Sequence, residues 1–150
     1  MTGYSKDRLC REIIDGCSEA VMFSDREGII RLWNNGAEKL FGFSREEAIG
    51  QSLDLIIPDK MRGRHWEGYH RVMDSGKTRY ATELLTAPAL CKDGSRLSTE
   101  FSMVLVRDDE GTVQGAAAVI RDVTARWERE KVLKERLAVL ETKAVQATSA

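Results

Sequence analysis

Apolar positions along the chain follow two periods, one helical and one strand-like. Between residues 58 and 75 they recur at helical spacing, in a stripe formed by Met61, His65, Tyr69 and Val72. Short alternating runs predict five strands, which span residues 20–24, 28–33, 78–90, 96–106 and 112–121. The predicted order is a helix, two strands, a helical insert, three strands and a helix, which is typical of an α+β domain.

Turn and cap residues mark where these elements end. A short amphipathic helix is predicted at 5–15, and Pro88 indicates that the third strand lies at a sheet edge. Asp122 or Thr124 can cap a last helix that runs to about residue 146. We therefore expect three segments: a capping or dimerisation helix at 1–17, a domain at 18–124, and a linker or coiled-coil helix at 125–150.

The last helix allows two interpretations. Leu133, Leu137 and Leu140 have the spacing of a coiled-coil seam, although charged residues occupy the same seam upstream. Two heptads are too few to decide between a dimer or partner helix and a solvated tail.

Composition excludes several classes of protein. The 150 residues carry 23 lysines and arginines against 24 acidic residues, so clustered positive charge for nucleic acid or an anionic membrane is not expected. No apolar run is long enough to span a bilayer, and the N-terminus has no signal-peptide core, so we expect a cytoplasmic protein. Cys10, Cys17 and Cys91 include no C-x-x-C pair and are expected to be reduced thiols.

Motifs typical of catalysis are not found in the sequence. It lacks G-x-S-x-G, H-E-x-x-H, a Walker A loop and a paired Cys/His set. Asp54 and Asp59 fit better as turn or cap residues, and His65 and Glu67 are too close in a helix to face each other. We therefore expect no enzymatic activity of its own.

Three separated motifs resemble those of PAS domains. They are the run GIIRLWNNGAEKLFGFSREEAIG from residue 28 to residue 50, the turn KDGS at 92–95 and the exit RDVT at 121–124. The resemblance covers about residues 17–124. It implies the PAS fold, a five-stranded antiparallel sheet with short helices on one face, an N-terminal amphipathic helix and a C-terminal signalling helix. It also implies a ligand cleft between the sheet and the long helix.

The resemblance leaves the ligand open. PAS domains include haem, flavin and small-metabolite sensors, and others are dimerisation modules with filled cores. No cysteine lies between Cys17 and Cys91, so the cysteine adduct chemistry of flavin photosensors is not expected. Haem, another small apolar or amphipathic ligand, and a fully packed core remain as alternatives.

Residues 62–103 resemble the haem PAS domain of the rhizobial oxygen-sensor kinases. His65 matches the iron ligand, Arg71 matches a basic residue near the haem propionates, and Arg79 replaces a histidine with that role. Leu85 stands where the family has an arginine that hydrogen-bonds oxygen. Met103 stands at an apolar distal position, where its thioether is a candidate sixth ligand.

The cleft implied by this resemblance is lined by five side chains, His65, Tyr69, Leu85, Phe101 and Met103. We expect occupancy or redox state there to shift the sheet and, through residues 122–124, the terminal helix. A homodimer and an effector protein bound by the terminal helix are the expected partners. The alternative is a ligand-free interaction module in which His65, Tyr69, Phe101 and Met103 are ordinary core residues.

Overall fold

Helices and strands follow one another in the predicted order. The computed structural model describes residues 3–78 and 82–149. In chain order the elements are α1 (Lys6–Gly16), β1 (Ala20–Asp25), β2 (Ile30–Trp33), α2 (Asn35–Phe41), α3 (Arg45–Ala48), two 3-10 turns (Leu53–Ile56 and Asp59–Met61), α4 (Arg62–Ser75), β3 (Leu85–Leu90), β4 (Arg96–Arg107), β5 (Val113–Asp122) and α5 (Thr124–Thr148).

Side-chain caps fix where the short helices begin. The Ser5 hydroxyl accepts from a backbone N–H of α1, and the Ser44 hydroxyl forms a capping box with Glu47 at the start of α3. Gly42 and Gly76 end α2 and α4 with φ angles of 83° and 68°, a region that glycine occupies without strain. These local signals explain why helix ends could be predicted to within a few residues.

The five strands form one antiparallel sheet in the order β2-β1-β5-β4-β3. This arrangement confirms the α+β fold that the sequence predicts. Phe101 in β4 lies opposite Leu85 in β3 on one side and Ile120 in β5 on the other. β3 is an edge strand, as Pro88 predicts, and an edge position tolerates the missing N–H.

The predicted third strand is too long at its beginning. The pattern indicated residues 78–90, whereas β3 begins at Leu85 and residues 82–84 form no strand. Pairing with β4 starts at Leu85 and Phe101, although β4 itself continues to Arg107. Apolar character alone could not reveal that limit.

The core lies between the inner face of the sheet and helices α2 to α4. Alternate residues of β1, Ala20, Met22 and Ser24, point inward and are buried. Trp33 and Phe41 are fully buried and their ring centroids lie 5.4 Å apart. Burying these large aromatic side chains supplies much of the hydrophobic stabilisation of this half of the domain.

Asn34 connects three segments at the edge of this core. Its fully buried side chain accepts from the backbone N–H groups of Val21 (2.8 Å) and Ala37 (2.9 Å) through Oδ1. Its Nδ2 donates to the carbonyls of Ile14 (2.7 Å) and Glu19 (3.0 Å). One amide therefore caps α2 and also ties α1 and β1 to it.

The terminal helix α5 extends away from the domain. Its 25 residues include no buried side chain, and Trp127, Leu133, Leu137 and Leu140 are at least half exposed. Across residues 3–78 and 82–149, no helix has the length and apolar character needed to cross a membrane.

Candidate ligand-binding cleft

Two aromatic side chains of helix α4 contact the β1–β2 hairpin. The Trp66 ring lies against Gly28 so closely that a Cβ atom there would sit 2.1 Å from it. The Tyr69 hydroxyl is 2.9 Å from the Ser24 hydroxyl and donates to the Asp25 carbonyl. These contacts hold the helix over the β1–β2 side of the sheet.

A third contact secures the other end of α4. The Arg26 guanidinium donates to the carbonyls of Val113, 2.6 Å away, and Met73, 3.3 Å away. Arg26 therefore joins the hairpin turn to both the last turns of α4 and the start of β5. The helix cannot tilt toward β3 and β4 without breaking these contacts.

The β3–β4 side of the inner face is consequently less well covered. Ala89 and Thr99 of this face are buried, but several larger apolar side chains are only partly buried. They are Leu85 of β3, Phe101, Met103 and Leu105 of β4, and Ala118 of the neighbouring β5. An open groove of about 550 Å³ borders Met103 and Leu105 where α4 ends. The partly covered inner face of β3 and β4 is the candidate cleft. The open groove reaches this face at Met103 and Leu105, and its lining does not include His65, Tyr69, Leu85 or Phe101.

His65 lies half-buried on α4, one turn before Tyr69. Its ring centroid is 4.9 Å from that of Trp66 and 5.7 Å from that of Tyr69. Burial lowers the pKa of His65, and this outweighs the opposing influence of the Asp54 carboxylate. The buried Nδ1 atom has no hydrogen-bond partner among the described residues. His65 therefore presents a neutral imidazole with an unsatisfied ring nitrogen.

These residues fit a haem group on two observations. A buried ring nitrogen without a partner costs about 1–3 kcal/mol, and a ligand atom that bonds to Nδ1 itself would recover this energy. The partly buried Phe101, Met103 and Leu85 supply the apolar contacts that a porphyrin requires. A neutral imidazole and a thioether are both axial ligands that haem iron accepts.

The structure brings some of the sequence-predicted site residues together and not others. Tyr69 adjoins His65, and Leu85, Phe101 and Met103 share the inner face of β3 and β4. Arg71 instead lies on the solvent face of α4, 3.7 Å from Glu67, and is not brought to this group. Arg79 lies outside the described residues.

Sequence reasoning missed residues that shape the cleft. Trp66 sits one position beside the predicted stripe, and its Nε1 donates to Asp54 at 2.7 Å. A large aromatic residue next to that stripe could have been identified from the sequence as a residue that shapes the cleft. Arg26, Lys77 and Arg107 gave no signal, because their positions depend on contacts between distant parts of the chain. Among the described residues, no three His, Cys, Asp or Glu side chains are grouped to hold a metal ion.

Residues 14–128 match the PAS_4 family, described as the PAS fold, and the chain therefore belongs to the PAS family. It is 33% identical over 137 residues to an uncharacterized protein of Azorhizobium caulinodans, covering 91% of this chain and 18% of that protein. It is 30% identical over 116 residues to the oxygen sensor protein DosP of Escherichia coli K12, covering 77% of this chain and 14% of DosP.

A third relative is the sensor protein FixL of Bradyrhizobium diazoefficiens, 39% identical over 78 residues, or 52% of this chain and 14% of FixL. The chain thus spans less than a fifth of each of these three relatives. It is a PAS sensory module of the type found in sensor proteins.

Solved structures share the fold. A PAS domain of a protein from Colwellia psychrerythraea superposes with a TM-score of 0.68 at 24% identity, covering 81% of this chain and 99% of that one. The structure of an RNA-binding light-oxygen-voltage receptor superposes with a TM-score of 0.74 at 18% identity, covering 92% of this chain and 41% of that one. At these low sequence identities, the similarity shows only that the fold is shared.

Proposed function

We propose that this chain is a non-enzymatic sensory module that binds haem through His65 and transmits the state of the cleft through α5. The observation that carries the proposal is the neutral, half-buried imidazole of His65, whose Nδ1 is unsatisfied. The partly buried apolar side chains Phe101 and Met103 on the inner face of β4 support it. The similarity to proteins named as sensors, one of them for oxygen, supports it.

In this proposal each residue of the cleft has a specific role in binding the ligand. When bound, a haem supplies an iron whose ligation responds to redox state or to a diatomic gas. His65 supplies the imidazole ligand, Leu85 and Phe101 exclude water, and Met103 offers a thioether from β4. Leu85 cannot donate a hydrogen bond, so the cleft favours an apolar ligand over a polar one.

Strand β4 provides the path to α5. Its odd-numbered residues Phe101 and Met103 face the cleft, and its even-numbered residues lie on the other face. Ser98 accepts from the Val123 N–H at 2.8 Å and donates to the Thr124 hydroxyl at 3.0 Å. A movement of β4 would therefore reach the first turn of α5 directly.

The iron ligand is tested with haemin and two histidine variants. Wild-type protein titrated with haemin should develop a sharp Soret band, and His65→Ala should shift its maximum because the imidazole bond is lost. The porphyrin itself can still occupy the apolar cleft in this variant, so the band position is the decisive measurement. Because its pKa is lowered, the His65 imidazole stays available until the solution is acidic.

His70→Ala is the matched control, since His70 is exposed on the same helix. It should leave the Soret maximum unchanged. A free-haemin spectrum with wild-type protein, or equal spectra for wild type and His65→Ala, would contradict haem ligation by His65.

The transmission step is tested at the ion pair between Glu100 of β4 and Arg126 of α5. Haemin should change amide hydrogen exchange over residues 124–148 in the wild type. Arg126→Ala should reduce that change, because the first turn of α5 loses its ion pair with β4. Arg129→Ala, at an exposed position in the next turn, should retain it. Identical exchange with and without haemin in the wild type would refute transmission through α5.

A ligand-free dimerisation module is the second candidate. It is favoured by exposed apolar side chains on the outer face of the sheet and on α5: Val104, Val106, Val119, Leu133, Leu137 and Leu140. In either case we propose a homodimer and an effector bound through α5. Absence of haemin binding together with a stable dimer would favour this second function.

A further inference from the structure

Four charged side chains lie side by side on the outer face of the sheet. Glu19 directly precedes β1 and Arg121 lies near the end of β5, and their side chains form an ion pair of 2.9 Å. Glu100 lies opposite Arg121 in the β4–β5 ladder and forms an ion pair with Arg126 in the first turn of α5. Glu19, Glu100 and Arg121 border one shallow depression. Charges of alternating sign therefore extend from the start of β1 to the base of α5.

Glu19 is joined to α1 through its backbone. The Asn34 amide donates to the Glu19 carbonyl at 3.0 Å and to the Ile14 carbonyl, in the last turn of α1, at 2.7 Å. Helix α2 packs directly on the same segment, since a Cβ atom at Gly36 would lie 2.1 Å from the Glu19 carbonyl oxygen. Because α1 and Glu19 share one anchoring amide, a displacement of α1 that moves this amide also moves Glu19 relative to Arg121.

The Glu100 carboxylate requires a positive partner. Its side chain is only 16% exposed, and a carboxylate so well shielded from water is costly unless it is paired. Arg126 supplies the charge, but Arg121 lies at the opposed position of the ladder, where side chains are close enough to interact. The ion pair with Glu19 thus keeps Arg121 from competing with Arg126 for Glu100.

Arg126 has a second carboxylate within α5 itself. Its Nε lies 3.8 Å from Glu130, one turn further along the helix. Arg126 can therefore leave Glu100 and remain paired on its own helix. The base of α5 consequently has two arrangements, one attached to β4 through Glu100 and one released with Arg126 beside Glu130.

We propose that these four side chains form a charge relay that couples the position of α1 to the attachment of α5. The members of the charge relay are Glu19, Arg121, Glu100 and Arg126. When Glu19 is withdrawn, Arg121 turns to Glu100 and displaces Arg126, which releases the base of α5. The charge relay lies on the outer face of the sheet and the cleft on the inner face, so the coupling requires no ligand and goes beyond the proposed haem function.

Amide hydrogen exchange of residues 124–134 in the ligand-free protein tests this competition. Glu19→Gln should speed exchange there about threefold, the size expected for one partly exposed ion pair, because Arg121 then displaces Arg126. Arg121→Gln should not speed it, because the competitor is lost. The double variant Glu19→Gln with Arg121→Gln should return to the wild-type rate. Two losses that merely destabilise the domain would add instead.

The coupling can also be measured from the other end, because a coupling free energy is reciprocal. Arg126→Gln should speed amide exchange over residues 6–16, since Glu100 then attracts Arg121 away from Glu19.

Arg31→Gln is the matched control for both measurements. It removes a 2.9 Å ion pair with Asp25 in the same sheet but outside the charge relay. Exchange over residues 6–16 and 124–134 should stay at the wild-type rate in this variant.

The outcomes separate the charge relay from the proposed function. Equal rates over residues 124–134 in Glu19→Gln and wild type would overturn the charge relay. Additive acceleration in the double variant, or acceleration in the Arg31→Gln control, would overturn it as well. A haemin-dependent change in α5 alongside these results would leave transmission from the cleft intact. Recovery in the double variant without any haemin binding would uphold the charge relay and remove haem.

Discussion

Replacing Asn34 with alanine should lower the free energy of unfolding by about 4 kcal/mol, as the amide makes several buried hydrogen bonds. Two backbone N–H groups, those of Val21 and Ala37, would lose their acceptor. The carbonyls of Ile14 and Glu19 would lose their donor. Because the site is buried, water cannot replace these bonds without opening the junction of α1, β1 and α2. Urea unfolding followed by circular dichroism measures the change.

Two further variants make this experiment specific. Asn35→Ala alters an exposed neighbour and should change stability by less than about 0.5 kcal/mol. Asn34→Asp keeps the acceptor for Val21 and Ala37 but places a buried carboxylate oxygen opposite the carbonyls of Ile14 and Glu19, so it should cost at least as much as Asn34→Ala. A loss below about 1 kcal/mol for Asn34→Ala would show that the junction does not depend on this amide.

Gly28→Ala should cost about 3 kcal/mol, through two separate causes. Gly28 has a φ angle of 78°, and an alanine in that region is strained by about 1–2 kcal/mol. The added Cβ would also lie 2.1 Å from the Trp66 ring, which would have to leave its place on the hairpin. Displacing Trp66 disturbs the attachment of α4, so its fluorescence should change together with the unfolding midpoint.

Gly94→Ala separates these causes. Gly94 has a φ of 85°, and an added Cβ there would meet no atom within 4 Å. This variant should show the backbone strain alone, about 1–2 kcal/mol, with an unchanged tryptophan spectrum. Equal costs for Gly28→Ala and Gly94→Ala would mean that contact between Trp66 and the hairpin contributes little.

The sequence predicted the fold well wherever the signal was local. Ser44 and Gly42 mark helix ends through their own backbone and side-chain chemistry, and alternation in β4 shows which residues point inward. The start of β3 was misplaced because it depends on where the chain begins to pair with β4. Pairing of that kind is absent from the pattern of a single strand.

The candidate site was predicted only in part for the same reason. Helical spacing was enough to place His65 and Tyr69 on one face of α4. It could not show that Arg26 and Trp66 fix this helix over one half of the sheet, which leaves the other half partly open. It also could not show that Arg107 contacts Gly76 at the end of α4, since the two are separated by β3 and most of β4.

The length of α5 has a mechanical consequence. Its 25 residues extend for about 37 Å, and it touches the domain chiefly near its first turns. A rotation of about 5° at Thr124 would therefore move Thr148 sideways by roughly 3 Å, from the rise of 1.5 Å per residue. The helix thus converts a small angular change at its base into a displacement of several ångströms at its far end.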